Sequence, residues 1–469
     1  MHSDCQTAEG SKKRRITELK RRHHDRDNDE RASLRSGPRP GRILGFVSLA
    51  AVASLAIAAC GASRTASAKS SSRQTLVLWH NGSFAATTTK LLANAFSKAH
   101  PGVKFDLVAQ PSGDYFAALQ AALISGNGPD LVNLWPAQYM TRFESRLVNL
   151  DPYISMSLLQ KVSGENYFAA NGSLSSGTYA VPFENQFYTG FYNKSLFAKA
   201  HIAAVPRTWS QLTADCGKLK SIGAIPVVYG AQSGSGEFNP VYEWSYLLAG
   251  VYPLSSWNGL LNGHIPYSSN AVVGQLSHWR AMASAGCINS NALTNKVAAS
   301  EFTSGKAAMI FKGSWDAGSF YQSMGSKVGV ILPPYSTSPM SAIVEETGEG
   351  YGVPVSATHK TMAIQFLKFI LSPQGQKIIT QSGQTPVLPG YRATNPLQQS
   401  LLQMANSSSY HVYPMFDNLM QAPVESVAAR LLDQVLVGQV SPRQAASEIA
   451  SAEANLSSSA RAVNYHLGR

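Results

Sequence analysis

The closest group of acids beyond residue 75 is Glu345, Glu346 and Glu349, three carboxylates within five positions. Paired carboxylates are the tools of glycan hydrolysis, and such a pair can also be assembled from distant positions, Glu184 and Glu349 for example. The run Gly348-Glu349-Gly350-Tyr351-Gly352 is glycine-rich but lacks dinucleotide-binding spacing, and no P-loop occurs. No G-x-S-x-G elbow is present, and no serine has a lysine three residues on. The histidines after Cys60 stand singly, with no H-E-x-x-H and no Cys/His cluster that would hold a metal. These absences favour a protein that binds and releases over one that transforms. No cofactor and no metal are expected.

The elements that must position such residues are legible as an α/β series. Thr75–Trp79 is a short apolar run, hence a buried strand. Thr87–Ala99 places Leu91, Leu92, Ala95 and Phe96 on one helical face, and His100-Pro101-Gly102 stops it. Val103–Ala109 reads as a strand, Asp114–Ser125 as a helix, and Leu131–Leu134 as a third strand. Strands alternating with single helices call for parallel pairing, and ligands of such sheets sit beyond the carboxyl ends of the strands. That rule selects His80 and Asn81 after the first strand, and Trp135 and Gln138 after the third. A second series follows: helix Trp209–Ile222, strands Ile225–Tyr229, Ala307–Phe311 and Val328–Leu332, and helices Met362–Leu371, Val424–Val437 and Ser441–Ala454.

Composition agrees with a large folded chain. Of 469 residues, 44% are hydrophobic and 14% charged, which excludes disorder. The net charge of +12 is concentrated at the front, where residues 1–42 hold twelve Lys and Arg against seven acids. No basic run recurs after Arg42, so nucleic acid is not an expected partner. Residues 43–59 are uncharged and apolar, and Ile57-Ala58-Ala59-Cys60 matches a bacterial lipobox, so residues 1–59 read as a secretory leader with a long basic n-region. Cys60 would then carry the lipid, and residues 60–74 would form a flexible Ser/Ala/Gly tether. The remaining cysteines, Cys216 and Cys287, could pair outside the cytoplasm or stand as two buried thiols. A bond would close a loop of about 70 residues, worth on the order of 4 kcal/mol.

Four segments carry a resemblance. They are Phe116–Leu134, Tyr179–Phe197 followed by Pro206-Arg207-Thr208-Trp209, Phe302–Phe320, and Gly350–Gln384. In this order behind a lipobox, the chain from Thr75 to about Ala450 resembles the extracellular solute-binding proteins, family 1, the carbohydrate receptors of ABC importers. The resemblance implies an α/β, two-lobed periplasmic-binding-protein-like clamp of type II, with the ligand cleft between lobes joined by a three-crossing hinge. The crossings are expected near Pro182–Gln186, Leu332–Tyr335 and Thr385–Leu388, where prolines favour extended chain. The N-lobe would then be residues 75–183 plus 334–385, and the C-lobe 184–333 plus 386–469.

A sugar cleft needs aromatic faces for pyranose C–H surfaces and planar carboxylates or amides for paired hydroxyls. By that criterion Trp315 and Asp316 are candidates after an apolar strand, as are Glu184 and Asn185 at the first crossing. Glu237, Tyr242 and Trp244 are candidates from the second lobe, and Glu349 and Tyr351 from the glycine-rich loop. Trp209, Trp257 and Trp279 read as structural. The implied function is a membrane-anchored, substrate-capturing subunit on the outer face of the cytoplasmic membrane, without catalysis. Its partners would be a carbohydrate and ABC permease subunits, and the chain itself would be a monomer. A secreted glycan hydrolase, or the same fold holding a non-sugar polar solute, are the alternatives.

Overall fold

The computed structural model describes residues 73–82, 86–111, 114–231 and 240–467, all within one compact unit, Lys69–Arg469. The leader, Cys60 and Glu237 lie outside the described residues. Two sheets organise the chain. The first is five-stranded, in the order β2-β1-β3-β10-β4, with β1 Gln74–His80, β2 Val103–Ala109, β3 Leu131–Leu134, β4 Ala180–Pro182 and β10 Gly350–Gly352. Strands β1, β2 and β3 run parallel, and β10 is antiparallel to both its neighbours.

β3 is buried at every position because helices cover both faces of this sheet. On one face the helices Ala86–Ala99 and Lys360–Ile370 bring Leu92, Phe96, Phe366 and Leu367 onto Leu76, Leu78 and Leu131. Phe96 and Phe366 meet edge to face at 5.4 Å. On the other face Tyr115–Ser125 buries Tyr115, Leu119 and Leu123, and ends at Gly126, whose φ of 74° suits a residue without Cβ. The Tyr115 hydroxyl donates to the Asn133 carbonyl at 2.7 Å, so its polar tip is satisfied inside the core.

The second sheet has the order β11-β9-β5-β7-β6, with β5 Asn185–Asn193, β6 Ile225–Val227, β7 Ala307–Gly313, β9 Ala342–Thr347 and β11 His411–Pro414; β8, Val328–Ile331, also pairs with β5. Helices Trp209–Ser221, Asn270–Ser284, Ala422–Leu436 and Pro442–Ala454 bury Leu212, Leu276, Leu432 and Ile449 in one large core. Thr208 caps the first of these helices, accepting from the Gln211 amide at 3.3 Å. Trp209, Trp257 and Trp279 lie in this core. Cys216 and Cys287, both fully buried, are joined by a disulfide across a separation of 71 residues.

The chain first passes between the sheets from β4 to β5, through Phe183 and Glu184. The second crossing differs from the expectation at Leu332–Tyr335. After β8 the Pro333-Pro334 segment stays on the second lobe, where Gln275 donates to the Tyr335 carbonyl at 2.8 Å and Met340 N–H to the Arg207 carbonyl at 2.9 Å. Residues 342–347 then pair with β5, so residues 334–347 belong to the second lobe and the crossing falls at Gly348-Glu349. Prolines ended the β8 ladder but did not choose the chain's direction; the strand-forming run Ala342–Thr347 did. The first two crossings are tied side by side, Gly348 N–H to the Glu184 carbonyl at 3.0 Å and Phe183 N–H to the Glu349 carbonyl at 3.1 Å. A Cβ on Gly348 would stand 2.7 Å from Glu184 Cγ, so only glycine permits this approach. The third passage runs by Thr385, whose carbonyl accepts from Asn185 N–H at 2.8 Å.

Candidate functional site

Alternation along β5 and β9 sorts the polar residues of the crossings onto two faces. Gln186 pairs in register with Glu346, and Asn185 with Thr347. One face therefore carries Glu184, Gln186 and Glu346. The other carries Asn185, Glu345 and Thr347, which line a cavity of about 1030 Å³ together with Ser163, Tyr167 and Pro386. Asn185 donates to Glu345 and, at 3.3 Å, to Ser163. Asn185 is thus separated from Glu184 by the sheet itself, and the structure does not bring the two expected neighbours to one site.

Near the face bearing Glu184 stand the carboxyls of Glu346 and Glu349, each with its own hydrogen-bond partners and coupled to Glu184 through charge. Glu184 accepts from Gln186 at 2.6 Å, and its second oxygen is buried without a hydrogen-bond partner. Glu346 accepts from Asn418 at 3.0 Å. Glu349 is held from both sides, accepting from Asn81 and from Asn133, each at 3.1 Å. Burial, then the neighbouring charge of Glu349, pushes the Glu184 carboxyl well above the ordinary carboxylate range. Burial raises Glu346 to about 7 against the opposing bond from Asn418. Asp417 is also raised, by burial and then by Glu346 and Glu425. Crowded acids in little water cannot all ionise. Near neutral pH Glu184 and Asp417 are therefore held toward their protonated, donating forms and Glu346 is divided between its two forms, beside amides, which both donate and accept. His80 is nearly buried, its pKa lowered by desolvation, and its Nδ1 accepts from Gly82 N–H at 3.2 Å.

Aromatic rings stand on both lobes. In the first lobe Trp135, Phe116 and Tyr139 form a triangle with ring centres 4.9 to 5.1 Å apart. Trp135 remains partly exposed. The Arg142 guanidinium lies over Tyr139 at 4.7 Å. In the second lobe Trp315 and Tyr242, both partly exposed, meet edge to face at 6.0 Å, and Tyr242 meets buried Tyr188 at 5.7 Å. The Trp315 ring lies across Gly313, where any Cβ would collide with it, so the sequence Lys312-Gly313-Ser314-Trp315 sets the ring's position. Lys312 and Asp316 form an ion pair at 3.1 Å at its flank. The two ring groups approach one another: the Tyr139 phenol is raised by burial and then by Glu425, Asp417 and Tyr242 of the opposite lobe.

Two expected residues are placed in the core. Trp244 has no exposed surface and stacks on Tyr267 at 6.2 Å. Tyr351 is likewise buried, stacked on Phe183 at 5.1 Å, with its hydroxyl bonded to Thr89. A ring enclosed on both faces offers no platform to a solute. Gln138 donates to the Tyr465 hydroxyl at 2.9 Å, linking the first lobe to the chain's end. Sequence reasoning missed Asn133, Tyr139, Asn418 and Glu425. Tyr139 follows Gln138 directly and falls under the same strand-end rule; Asn418 and Glu425 reach the site only through tertiary packing.

Comparison with known proteins agrees with this architecture. Residues 81–377, more than half the chain, match the family of bacterial extracellular solute-binding proteins. The galactooligosaccharide-binding protein of Bacillus subtilis (strain 168) is 24% identical over 412 residues, covering 86% of this chain and 94% of that protein. The multiple sugar-binding protein of Streptococcus mutans serotype c (strain ATCC 700610 / UA159) is 20% identical over 191 residues, 41% of this chain and 44% of that one. Among solved structures, a chitin oligosaccharide binding protein superposes with a TM-score of 0.70 at 21% identity, covering 83% of this chain and 99% of that chain. The solute-binding protein RafE in complex with raffinose gives 0.67 at 17% identity, covering 83% and 100%. The fold is the two-lobed, type II clamp shared by these structures. With the family's match spanning most of the first lobe, the first two crossings and much of the second lobe, the chain belongs to the bacterial extracellular solute-binding proteins.

Proposed function

We propose that the chain captures a mono- or oligosaccharide between its lobes and delivers it to the membrane subunits of an ABC importer. The observation that carries this reading is that part-exposed rings occur on both lobes, Trp135 on one and Trp315 with Tyr242 on the other, together with the polar groups Asn81, Glu349, Glu184, Gln186 and Glu346 near the crossings. Rings suit the C–H faces of pyranoses, and the polar groups suit adjacent hydroxyls, which donate and accept in pairs. A solute touching both lobes favours the closed form by its differential affinity for it. The names of the relatives, galactooligosaccharide-, multiple-sugar-, chitin-oligosaccharide- and raffinose-binding, support a carbohydrate cargo.

Catalysis has no part in this reading. The family is one of binding proteins, which supports capture without turnover. Lipidation at Cys60 would hold the chain at the outer face of the cytoplasmic membrane, and the permease would dock on the closed complex. Affinity near micromolar, roughly −8 kcal/mol, suits a receptor that must also release. A thermal-shift screen of galactooligosaccharides, raffinose and chitin oligosaccharides, followed by product analysis, tests the proposal. Saturable stabilisation without turnover supports it; product accumulation, or stabilisation by none of the sugars, overturns it.

A further inference from the structure

The last residues of the chain belong to the second lobe yet hold on to the first. Ser457 caps the short helix Ser458–Arg461, accepting from Ala460 N–H at 3.1 Å, and Gln421 donates to the Ala460 carbonyl at 3.1 Å. Asn258 then grips Tyr465 as a paired strand would: its amide donates to the Tyr465 carbonyl and its oxygen accepts from Tyr465 N–H, both at 2.9 Å. Tyr465 is 6% exposed and packs within the second lobe's core. From that anchorage it reaches across. Its hydroxyl accepts from Gln138 Nε2 at 2.9 Å, and the His466 carbonyl accepts from Asn166 Nδ2 at 3.1 Å. Gly172, also of the first lobe, lies against it; a Cβ there would stand 2.7 Å from the Tyr465 ring.

The segment it reaches is the one that presents Trp135. Ala137 sits between Trp135 and Gln138 with φ of 54° and ψ of −117°, a backbone state that alanine rarely adopts. Two contacts impose it: its N–H donates to the Tyr167 carbonyl at 2.6 Å, and its methyl is buried in the second lobe's core cluster with Tyr465. A strained turn persists only where its surroundings over-determine it.

We infer that Tyr465 is a positioning residue for solute capture: through Gln138 it fixes the turn that carries Trp135 and ties the two lobes together. This rests on the reading that solute is held between the lobes, so the test has one readout that needs no solute. In the full chain, Tyr465→Phe removes the hydroxyl alone, and Asn166→Ala removes the second bond independently. Hydrogen exchange of the solute-free protein is followed by mass spectrometry in peptides covering residues 135–142. Loss of one such bond is expected to speed exchange there roughly threefold to tenfold in Tyr465→Phe, with peptides from β5 unchanged. Asn166→Ala should do the same to a smaller degree. For any of galactooligosaccharides, raffinose or chitin oligosaccharides that binds, dissociation should quicken several-fold with association unchanged. Wild-type exchange at residues 135–142 in both variants overturns the inference. Binding of none of these sugars to the wild type would instead count against the proposed function and leave the exchange result standing.

Discussion

Glu346 lends itself to a quantitative test because its environment and partners are well defined. It is partly buried, its pKa is raised by desolvation to about 7 in place of 4.5, and it accepts from Asn418 at 3.0 Å. Between those two values the folded chain keeps a proton that the unfolded chain has lost. Stability from this group is therefore fully present below about 4.5 and is lost as pH rises through about 7. The difference of about 2.5 units, at 1.36 kcal/mol per unit, amounts to about 3 kcal/mol at pH 8. Glu346→Gln keeps the shape and the acceptor for Asn418 but cannot ionise. The variant should match the wild type at pH 4.5 and exceed it by up to about 3 kcal/mol at pH 8. Relief of Asp417 and Glu184, which Glu346 also raises, adds in the same direction. Urea unfolding of both proteins at pH 4.5, 6 and 8, with the midpoint and slope compared at each, gives the measurement. Equal stability of the two proteins at pH 8 would refute the assignment of crowded carboxyls held toward their protonated forms.

Three further outcomes follow from the same geometry. Trp315→Ala should weaken sugar binding by about 1 kcal/mol or more, one stacking face, with folding intact; titration calorimetry reads it, and unchanged affinity would remove Trp315 from the site. Trp244→Ala should cost about 3 to 5 kcal/mol of stability with little change in affinity of the folded fraction, since its ring is enclosed in the core; unfolding and binding measured side by side separate the two effects. Replacing Cys216 and Cys287 together by serine should cost on the order of 4 kcal/mol, seen as a lowered denaturation midpoint, and the wild type treated with reductant under partly denaturing conditions should fall to the same value.

Much of the fold was readable in the residues, and the reason is local. The β1 run Thr75–Trp79 and the helix faces built on Leu92 and Phe96 state their period and their burial within a few positions. Strand ends point to Asn81 and Trp135 by a topological rule, and the two residues directly follow the observed strands β1 and β3. What failed required knowledge of pairing. Pro333-Pro334 marked a change of direction without saying where the chain would go, and only the register of β9 on β5 moves the crossing to Gly348. Asn185 and Glu184 are adjacent in sequence and opposed in space, since strand alternation depends on where the strand begins. Trp244 and Tyr351 show the limit of residue type as a guide: an indole or phenol suits a sugar and a core equally, and packing alone decides between them. Asn418 and Glu425 could not be found by pattern, because they arrive from the far end of the chain.

The bond between Cys216 and Cys287 has a consequence for the protein's biogenesis. Both sulfurs lie beneath closed helices with no exposed surface, so an oxidant can reach them only while that region is still open. Thiols remain reduced in the cytosol and pair in the oxidising space beyond the inner membrane. A chain kept reduced lacks this clasp and is easier to unravel. Oxidation while the region is still open then makes maturation of the second lobe a one-way step.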